Sequence, residues 1–340
     1  MERKLASIQT ISKLSPIEGA DRIELATVLG WNLVVKKGEY QEGEKCVYFE
    51  VDSFLPIRPE FEFLRDSSYK NSDILGEGFR IRTQKLRGQI SQGLLMPLSI
   101  LPNGVNQEVG TDVTEILGVK KWMVPEMDSG IGTIIGGFCP YCSPTDETRI
   151  QTIPEIIDEI YGKPYYITTK MDGTSITVWV VHEEMHVATR TSEIKEDDTS
   201  AIWKTMHKLQ IREKLMKYGK NLIMQGELCG PKIQNNRLKL TELKWYVFNI
   251  IDLDTGRWFT LDEMVQFCRA YGIEMVPVEE VGDSFGYTFE ELLDRAMGLY
   301  PAGTQKEGIV IRLKDMTYSQ TVRKPLSFKV LNNKFLLKEK

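Results

Sequence analysis

The chain has 340 residues, of which 43 are Lys or Arg and 48 are Asp or Glu, so its formal net charge is −5. With 41% hydrophobic residues it can bury at least one sizeable core, which excludes a disordered or collagen-like protein. No apolar run reaches the roughly 18 residues of a membrane span, and the first residues lack an apolar signal core. We therefore expect an intracellular protein without a membrane partner.

Short β-like runs broken by turn residues extend from Ile8 to about Leu117. Val47, Phe49 and Val51 alternate with other residues as in a half-buried strand, and glycines separate the runs. About five curled strands with glycine at the corners are typical of an OB-fold, a small β-barrel whose exposed face often binds nucleic acid. The pattern predicts an OB-like nucleic-acid-binding domain over residues 1–125, although a generic all-β domain would give the same pattern.

Residues 126–145 are rich in Gly, Ser and Pro, which predicts a linker. Within them Cys139 and Cys142 have the spacing of a redox pair or of half a zinc site, but no second Cys/His pair of matching spacing follows. Five cysteines in this length are unlike a secreted disulfide scaffold, so we expect reduced thiols and assign this pair no function. His182 and His186 lie in a strand-like segment and lack helical metal-ligand spacing.

Strand-like and helix-like segments are mixed over residues 146–340, which predicts an α+β domain with antiparallel sheets and flanking helices. Neither the Rossmann nor the P-loop glycine pattern is present. Basic residues concentrate in residues 201–222, with six Lys or Arg against one acid, and in residues 301–340, with nine against three. Either segment alone fits a solvated helix face or a charged tail, but together they can form a basic surface for nucleic acid.

The motif that carries chemistry is Lys-x-Asp-Gly, residues 170–173, between two β-like runs. So short a motif is weak evidence by itself. Four further residues follow it in order, each within or at the end of a predicted strand: Glu227, Phe248, Glu307 and Lys329. This order resembles the nucleotidyltransferase motifs of the ATP-dependent polynucleotide ligase and RNA-capping superfamily.

The residue types suit that chemistry. A deprotonated lysine amine can attack the α-phosphorus of ATP, form a phosphoramidate and expel pyrophosphate. The carboxylates of Asp172, Glu227 and Glu307 suit Mg²⁺ or Mn²⁺, directly or through waters, and Asp172 could instead bind the ribose or orient the lysine.

Basic and apolar groups would hold the rest of the nucleotide. Lys329, Lys324 and Arg149 are candidates to neutralise the phosphates. Phe248 could stack on adenine with Val310 or Ile309 as the opposite wall, although an aromatic residue in an apolar strand is more often core.

The segments IEGADRIELATVLGW, RIRTQKLRGQISQGLLMPL and SFKVLNNKFLLK are similar to the RNA ligases with an N-terminal OB domain, the fifth RNA ligase family, and the similarity covers nearly the whole chain. DNA ligases and capping enzymes instead place an OB domain after the last lysine motif, where only eleven residues follow here. DNA ligase or another lysine nucleotidyltransferase stays open as an alternative, as does a noncatalytic OB-type RNA-binding factor.

The resemblance implies that ATP adenylylates Lys170, that AMP then moves to an RNA 5′-phosphate, and that a 3′-hydroxyl displaces it. The expected substrate is a nicked duplex with RNA on the 3′-hydroxyl side, joined to RNA or DNA, and the expected enzyme is a monomer. Besides Lys170, it implies catalytic roles for Asp172, Glu227, Glu307 and Lys329, the three acids binding metal through waters. The implied nucleotide contacts are Arg149, Thr169, Lys170, Gly173, Arg190, Glu227, Phe248, Val310, Lys324 and Lys329.

One position departs from the family pattern. Related ligases often have two lysines spaced K-x-K in the last motif, whereas Ser327 stands two residues before Lys329. The roles of Lys324 and Arg323 are therefore left open.

Overall fold

The computed structural model describes residues 3–123 and 132–338. It divides into two compact units: unit 1 comprises Met1–Glu126, Ile150–Pro154 and Leu336–Lys340, and unit 2 comprises Met127–Arg149 and Glu155–Phe335. In these described ranges no helix is both long and apolar enough to span a bilayer.

Unit 1 is built mainly from short strands. They are β1 (Ala6–Pro16), β2 (Ile23–Val28), β3 (Trp31–Lys36), β4 (Lys45–Phe49), β5 (Ser53–Leu55), β6 (Tyr69–Ser72), β7 (Gly76–Arg80), β8 (Gln84–Leu86), β9 (Gln89–Ser91), β10 (Leu94–Met96) and β11 (Lys120–Lys121). A one-turn helix, α1 (Arg65–Ser68), and 3₁₀ turns at Pro59–Leu64, Leu98–Ile100 and Ile150–Thr152 connect or flank them.

β1 gives unit 1 its curl, because its two halves pair with different strands. Residues 6–10 pair with β4 and residues 11–16 with β2, and the register shifts between Ile11 and Lys13. Such an irregularity bends a strand and increases its twist. The resulting sheets have the orders β10-β4-β1-β2-β3 and β11-β5-β7-β6, with β8 and β9 forming a separate hairpin. This is the curled sheet expected of the predicted barrel.

β4 is buried on both faces, not on one face as the alternation predicted. Val47 and Phe49 pack into one apolar cluster, while Cys46 and Tyr48 pack into a second. The reason is topological, since β4 lies between β10 and β1 and the curled chain covers both of its faces.

The remaining strands are β12 (Ile134–Gly137), β13 (Thr148–Arg149), β14 (Tyr165–Lys170), β15 (Thr174–Val181), β16 (Glu184–Ala188), β17 (Ser192–Ile194), β18 (Leu222–Cys229), β19 (Lys244–Asp252), β20 (Val278–Gly282), β21 (Gly308–Leu313), β22 (Tyr318–Ser319), β23 (Lys324–Pro325) and β24 (Ser327–Leu331). The remaining helices are α2 (Ile156–Ile160), α3 (Ala201–Lys208), α4 (Ile211–Tyr218), α5 (Leu261–Tyr271), α6 (Phe289–Ala296) and α7 (Asn333–Leu336).

Unit 2 contains two large sheets with the orders β12-β17-β16-β15-β18-β19 and β13-β24-β21-β14-β20. The α+β prediction is confirmed, and the strand pairs are antiparallel as predicted except that β13 runs parallel to β24. Helices α3, α4 and α5 pack on the six-stranded sheet through one apolar cluster that includes Trp203, Leu215 and Phe267. A capping box of Thr260 and Glu263 starts α5, which satisfies N–H groups that the helix leaves unpaired.

The predicted linker, residues 126–145, overlaps residues 124–131, which lie outside the described residues. Its later part is not a linker, because Ile134–Gly137 form β12 and pair with β17. Cys139 is also buried, packing against Trp179. The Gly-rich composition suggested a linker, but a strand that pairs only through its backbone needs no apolar pattern.

Candidate active site

Lys170 is the last residue of β14, an inner strand of the five-stranded sheet that lies between β21 and β20. In the antiparallel register of β14 and β21 it lies opposite Gly308. Gly308 has a φ of +153°, and a Cβ there would lie 2.1 Å from the carbonyl oxygen of Val330, so glycine is required. The close pairing brings Glu307 beside the lysine, with Lys170 Nζ 2.8 Å from Glu307 Oε1.

Gly173 brings a second strand to the same place. A Cβ at this position would lie 2.4 Å from the carbonyl oxygen of Leu228 on β18, so the absence of a side chain lets the two segments approach. The backbone N–H of Gly173 donates a hydrogen bond to the carboxylate of Glu227. The glycine of the motif therefore positions Glu227, while its predicted contact with nucleotide stays a prediction.

Three carboxyl groups lie close to Lys170, and burial together with their mutual interactions shifts the pKa values of the cluster. Burial and the charge of Glu307 raise the pKa of Asp172 to about 6. Burial raises the pKa of Glu227 to about 8, with Glu307 and Asp172 adding to the effect and Lys170 opposing it. Burial alone would lower the pKa of Lys170, but the nearby acids outweigh it and hold that pKa above the ordinary value. Before substrate binds, Lys170 is thus a charged ammonium group paired with Glu307.

Arg237 is a site residue that no sequence motif marks. Its Nε lies 3.1 Å from Asp172 Oδ2, and the two side chains are only 13% and 11% exposed. Its guanidinium carbon lies 4.1 Å from the centroid of the Phe335 ring, a cation–π contact. Arg237 comes from the loop between β18 and β19, where an arginine would ordinarily be read as a solvent-exposed residue.

Lys329 and Arg190 pair with Asp146, and Arg149 lies beside Lys329 on the neighbouring strand. Lys329 Nζ lies 3.0 Å from Asp146 Oδ1, and Arg190 Nη2 lies 2.5 Å from Asp146 Oδ2. Arg149 is the register partner of Lys329 in the parallel β13–β24 pair. Burial lowers the pKa of Lys329 to about 8; Asp146 opposes this, and the charges of Lys170 and Arg149 add to it. Three of the predicted phosphate contacts are therefore close together, held by an aspartate that the sequence did not reveal.

Lys324 lies in a separate ion-paired group. Its Nζ is 2.9 Å from Glu147 Oε2, and Arg312 Nη2 is 3.1 Å from Glu147 Oε1. Glu147 and Arg312 are almost fully buried. Burial would raise the pKa of Glu147, but the charges of Lys324 and Arg312 lower it to about 2. In this structure Lys324 thus balances a buried carboxylate.

Phe248 is buried in a small apolar cluster with Met171, Cys229 and Val276. It is 8% exposed, and its opposite predicted wall, Val310, is 7% exposed. A pocket of about 390 Å³ opens instead beside Thr169, Met171 and Tyr246. Tyr246, which lines this pocket, precedes Phe248 by two residues in β19, and the contact of Phe248 with adenine stays a prediction.

The contacts of His186 explain its position without a metal ion. The His186 ring stacks on Trp179 at 5.0 Å, and its Nδ1 lies 2.7 Å from Glu193 Oε1, which accounts for it without a metal. Among the described residues, no three His, Cys, Asp or Glu side chains are arranged to ligate one metal ion directly. The mutual repulsion of the carboxylates around Lys170 would fall if a cation lay between them. A cation held there through its waters stays a prediction.

Comparisons with known proteins agree with this geometry. An OB-fold domain model matches residues 5–98, and the RNA ligase family model matches residues 163–331. A sequence search of the curated proteins finds no match.

Solved structures of an RNA ligase from Naegleria gruberi are similar over the full length. The structure with pyrophosphate is 34% identical and has a TM-score of 0.91, with 99% of each chain covered. A variant with ATP and Mn has the same identity, coverage and TM-score, as does a variant with AMP and Mn.

Proposed function

Because the chain belongs to the RNA ligase family, we propose that it seals RNA ends through a covalent AMP on Lys170. The observation that carries this proposal is the position of Lys170 in its cluster. Its amine lies 2.8 Å from Glu307 and is surrounded by Asp172 and Glu227, while Lys329 and its basic neighbours lie nearby. A reactive amine, acids for a cation and bases for phosphates are the groups that nucleotidyl transfer requires.

The enzyme uses ATP and a divalent cation, Mg²⁺ or Mn²⁺. When bound, the cation neutralises phosphate charge and polarises the bond to the leaving group. In the first step, Lys170 Nζ loses a proton and forms a bond to the α-phosphorus, and the bond from that phosphorus to the pyrophosphate oxygen breaks. Glu307 is in hydrogen-bond contact with the amine and is the nearest base that can take the proton.

Lys329, Arg190 and Arg149 would receive the phosphates. In the structure Asp146 holds Lys329 and Arg190 by ion pairs, so a phosphate that replaces Asp146 would find two cations already in place. With a pKa of about 8, Lys329 is already mostly charged at neutral pH, and a nearby phosphate would favour the charged form further. Lys324 stays with Glu147 and acts by keeping the strand that carries Lys329 in place.

The adenine would bind beside the Lys-x-Asp-Gly motif, residues 170–173. Phe248 and Val310, the predicted walls, are nearly buried, whereas an open pocket of about 390 Å³ is lined by Tyr246 and by Thr169 and Met171, the two chain neighbours of Lys170. An aromatic face beside polar strand-end groups suits a purine. We propose that Thr169 and Tyr246 contact the base and that Phe248 packs behind the residues that line the pocket.

The functional division would follow the predicted domains. Residues 1–125 would bind RNA through the OB-like barrel, and residues 146–340 would carry out all steps on the nucleotide. In the later steps AMP moves from Lys170 to a 5′-phosphate, and the 3′-hydroxyl attacks that phosphorus and expels AMP. The proposal requires no protein partner, so a monomer suffices.

We propose that the substrate is a duplex nick with RNA on the 3′-hydroxyl side. A ribose at the broken 3′ end favours A-form geometry and offers a 2′-hydroxyl, while the 5′-phosphate is recognised mainly through charge. The test compares nicks that differ only in the sugars flanking the break. We expect far faster sealing with RNA at the 3′-hydroxyl, joined to either RNA or DNA, than with DNA on both sides. Equal rates on all-DNA nicks would favour the DNA ligase alternative.

A further inference from the structure

Cys139 and Cys142 have no part in the ligase chemistry, yet they are arranged for chemistry of their own. They lie between β12 and β13, where Cys139 is 3% exposed and packs on Trp179, while Cys142 is only partly buried. All five cysteines, including these two, are free thiols in the structure. The pair therefore has one sheltered sulfur and one that solvent can reach.

The two side chains lie together, because Cys142 packs against the small apolar cluster that contains Cys139 and Trp179. The Cys142 thiol and the backbone N–H groups of Tyr141 and Cys142 are the donors that lie within reach of Cys139 Sγ. These bonds, led by the one from Cys142, lower the pKa of Cys139 although it is buried. By contrast, burial raises the pKa of Cys46 and of Cys268 to about 12, and of Cys229 higher still. Thiolate character, which thiol–disulfide exchange requires, is thus favoured at Cys139, while the contact with Cys139 and burial raise the pKa of Cys142.

The pair is also connected to the active site. Gln225 Nε2 lies 3.6 Å from Cys142 Sγ and donates to the carbonyl oxygen of Ser143 at 3.1 Å. Gln225 is 1% exposed and precedes Glu227 by two residues on β18. On the other side, Asp146, which holds Lys329 and Arg190, follows Cys142 by four residues. A change at Cys142 would reach both groups of site residues.

We propose that Cys139 and Cys142 are a thiol–disulfide modification site that takes small-molecule disulfides and slows adenylylation of Lys170 when oxidised. The proton in the S–H···S bond can pass between the sulfurs, so Cys142 can attack as a thiolate. A bond forms from Cys142 Sγ to one sulfur of the external disulfide, and the other sulfur leaves as a thiolate. Cys139 Sγ then attacks Cys142 Sγ and expels the second external thiolate. Two protein thiols are oxidised, and one external disulfide is reduced to two thiols.

Oxidation would alter the contacts of Gln225. A disulfide bond is about 2.05 Å long, much shorter than a thiol–thiol hydrogen bond, so the Cys142 sulfur must move toward Cys139. The amide of Gln225 then loses a buried partner, and both β18 and the segment leading to Asp146 must adjust. We expect lysine adenylylation to slow about fivefold, the lower end of the coupling seen between linked sites. Only this effect on rate rests on the proposed function; the thiol chemistry does not.

The first experiment follows the thiols alone. The full-length protein is equilibrated with graded mixtures of reduced and oxidised glutathione, quenched in acid, unfolded and alkylated, and each cysteine is quantified by peptide mass spectrometry. Cys139 and Cys142 should lose alkylation together and regain it with dithiothreitol, while Cys46, Cys229 and Cys268 stay alkylated. Two results would overturn the proposal: no paired loss at any ratio, or thiols protected because the purified protein contains stoichiometric zinc.

The second experiment measures AMP labelling of the oxidised and reduced protein. Oxidation should slow labelling of the natural chain about fivefold and have no effect on Cys142→Ser, which keeps a hydroxyl donor, or on Cys142→Ala. Equal rates in both states, with the disulfide present, would refute control of the reaction. If neither form is labelled, the proposed function fails, while the alkylation result still decides whether the disulfide site exists.

Discussion

The hydroxyl of Tyr300 donates a hydrogen bond of 2.7 Å to the backbone carbonyl oxygen of Lys170. The hydroxyl oxygen of Tyr300 in turn accepts a hydrogen bond of 3.1 Å from the backbone N–H of Glu307. Tyr300 is only 3% exposed, so it replaces water for both groups. Its hydroxyl therefore links the end of β14 to the start of β21 and fixes the spacing between the lysine and the acid with which it pairs.

Replacing Tyr300 with Phe should weaken both the fold and the reaction. Two buried backbone groups lose their partner, at a cost of about 1–3 kcal/mol in the free energy of unfolding. We expect AMP labelling to slow about tenfold because misplacement of reacting groups is costly. Urea unfolding and labelling rates measure the two effects. Tyr287→Phe, which removes a hydroxyl bonded to Glu280 away from the site, is the control and should leave the rate unchanged. A normal rate in Tyr300→Phe would contradict the positioning role.

Arg237→Met should leave Asp172 as a buried carboxylate without its cation. Removing one partner of a buried ion pair costs about 3–5 kcal/mol. Because Arg237 lowers the pKa of Asp172, its loss should raise that pKa above about 6 and shift the pH profile of AMP labelling to higher pH. Arg237→Lys keeps the charge and should recover much of the stability. An unchanged pH profile in Arg237→Met would show that Asp172 does not depend on this arginine.

Glu227→Gln should stabilise the nucleotide-free protein in alkaline solution. Glu227 has a pKa of about 8 in the fold, whereas an unperturbed glutamate titrates near pH 4.3, about the value expected once the chain unfolds. The folded state thus binds more protons between these values, and stability falls as pH rises through this window. The melting temperature of Glu227→Gln should exceed that of the natural protein at pH 8.5, and the difference should shrink toward pH 4.5. The variant should also lose most AMP labelling. A melting temperature that is lower at pH 8.5 than in the natural protein would contradict the assigned pKa.

The β8–β9 hairpin is the surface on which we expect RNA phosphates to bind. Residues 78–107 contain four basic residues and no acidic ones, and Lys85 and Arg87 are exposed on the hairpin. In contrast, two cations of the basic helix segment, Lys208 and Arg212, pair with Glu242 and Glu196.

A hairpin variant carrying Lys85→Gln and Arg87→Gln should therefore bind nicked RNA about tenfold more weakly, with a salt slope reduced by about 1–2. Lysine adenylylation should be unchanged. Lys208→Gln is the matched control, and the prediction is wrong if it weakens RNA binding as much as the hairpin variant does.

The sequence predicted those residues of the site that lie close together in the chain. Lys170, Asp172 and Gly173 are adjacent, and their setting between two strands follows from hydrophobic alternation. Arg237 and Asp146 were missed because their roles arise from contacts between segments distant in the chain. Tyr300 was missed for the same reason.

Burial also could not be judged from local pattern. Phe248 matches its motif position, but whether an aromatic residue of a strand lines a pocket or fills a core depends on the opposite sheet. The strand Ile134–Gly137 was hidden within a Gly-rich segment because its partner, β17, lies far along the chain. The overall architecture was easier to predict, because it depends on hydrophobic alternation and turn residues, which are local sequence patterns.

The most direct test of the account is the site of AMP attachment. The full-length protein is incubated with ATP labelled on the α-phosphate and Mn²⁺, resolved on a denaturing gel and digested for peptide mapping. We predict one labelled lysine, Lys170, no label in Lys170→Ala, and no label in the natural protein when excess EDTA is present. Lys208→Ala, an exposed lysine in an ion pair on α3, should be labelled normally. Label retained in Lys170→Ala, or mapped to another lysine of the natural chain, would contradict the account.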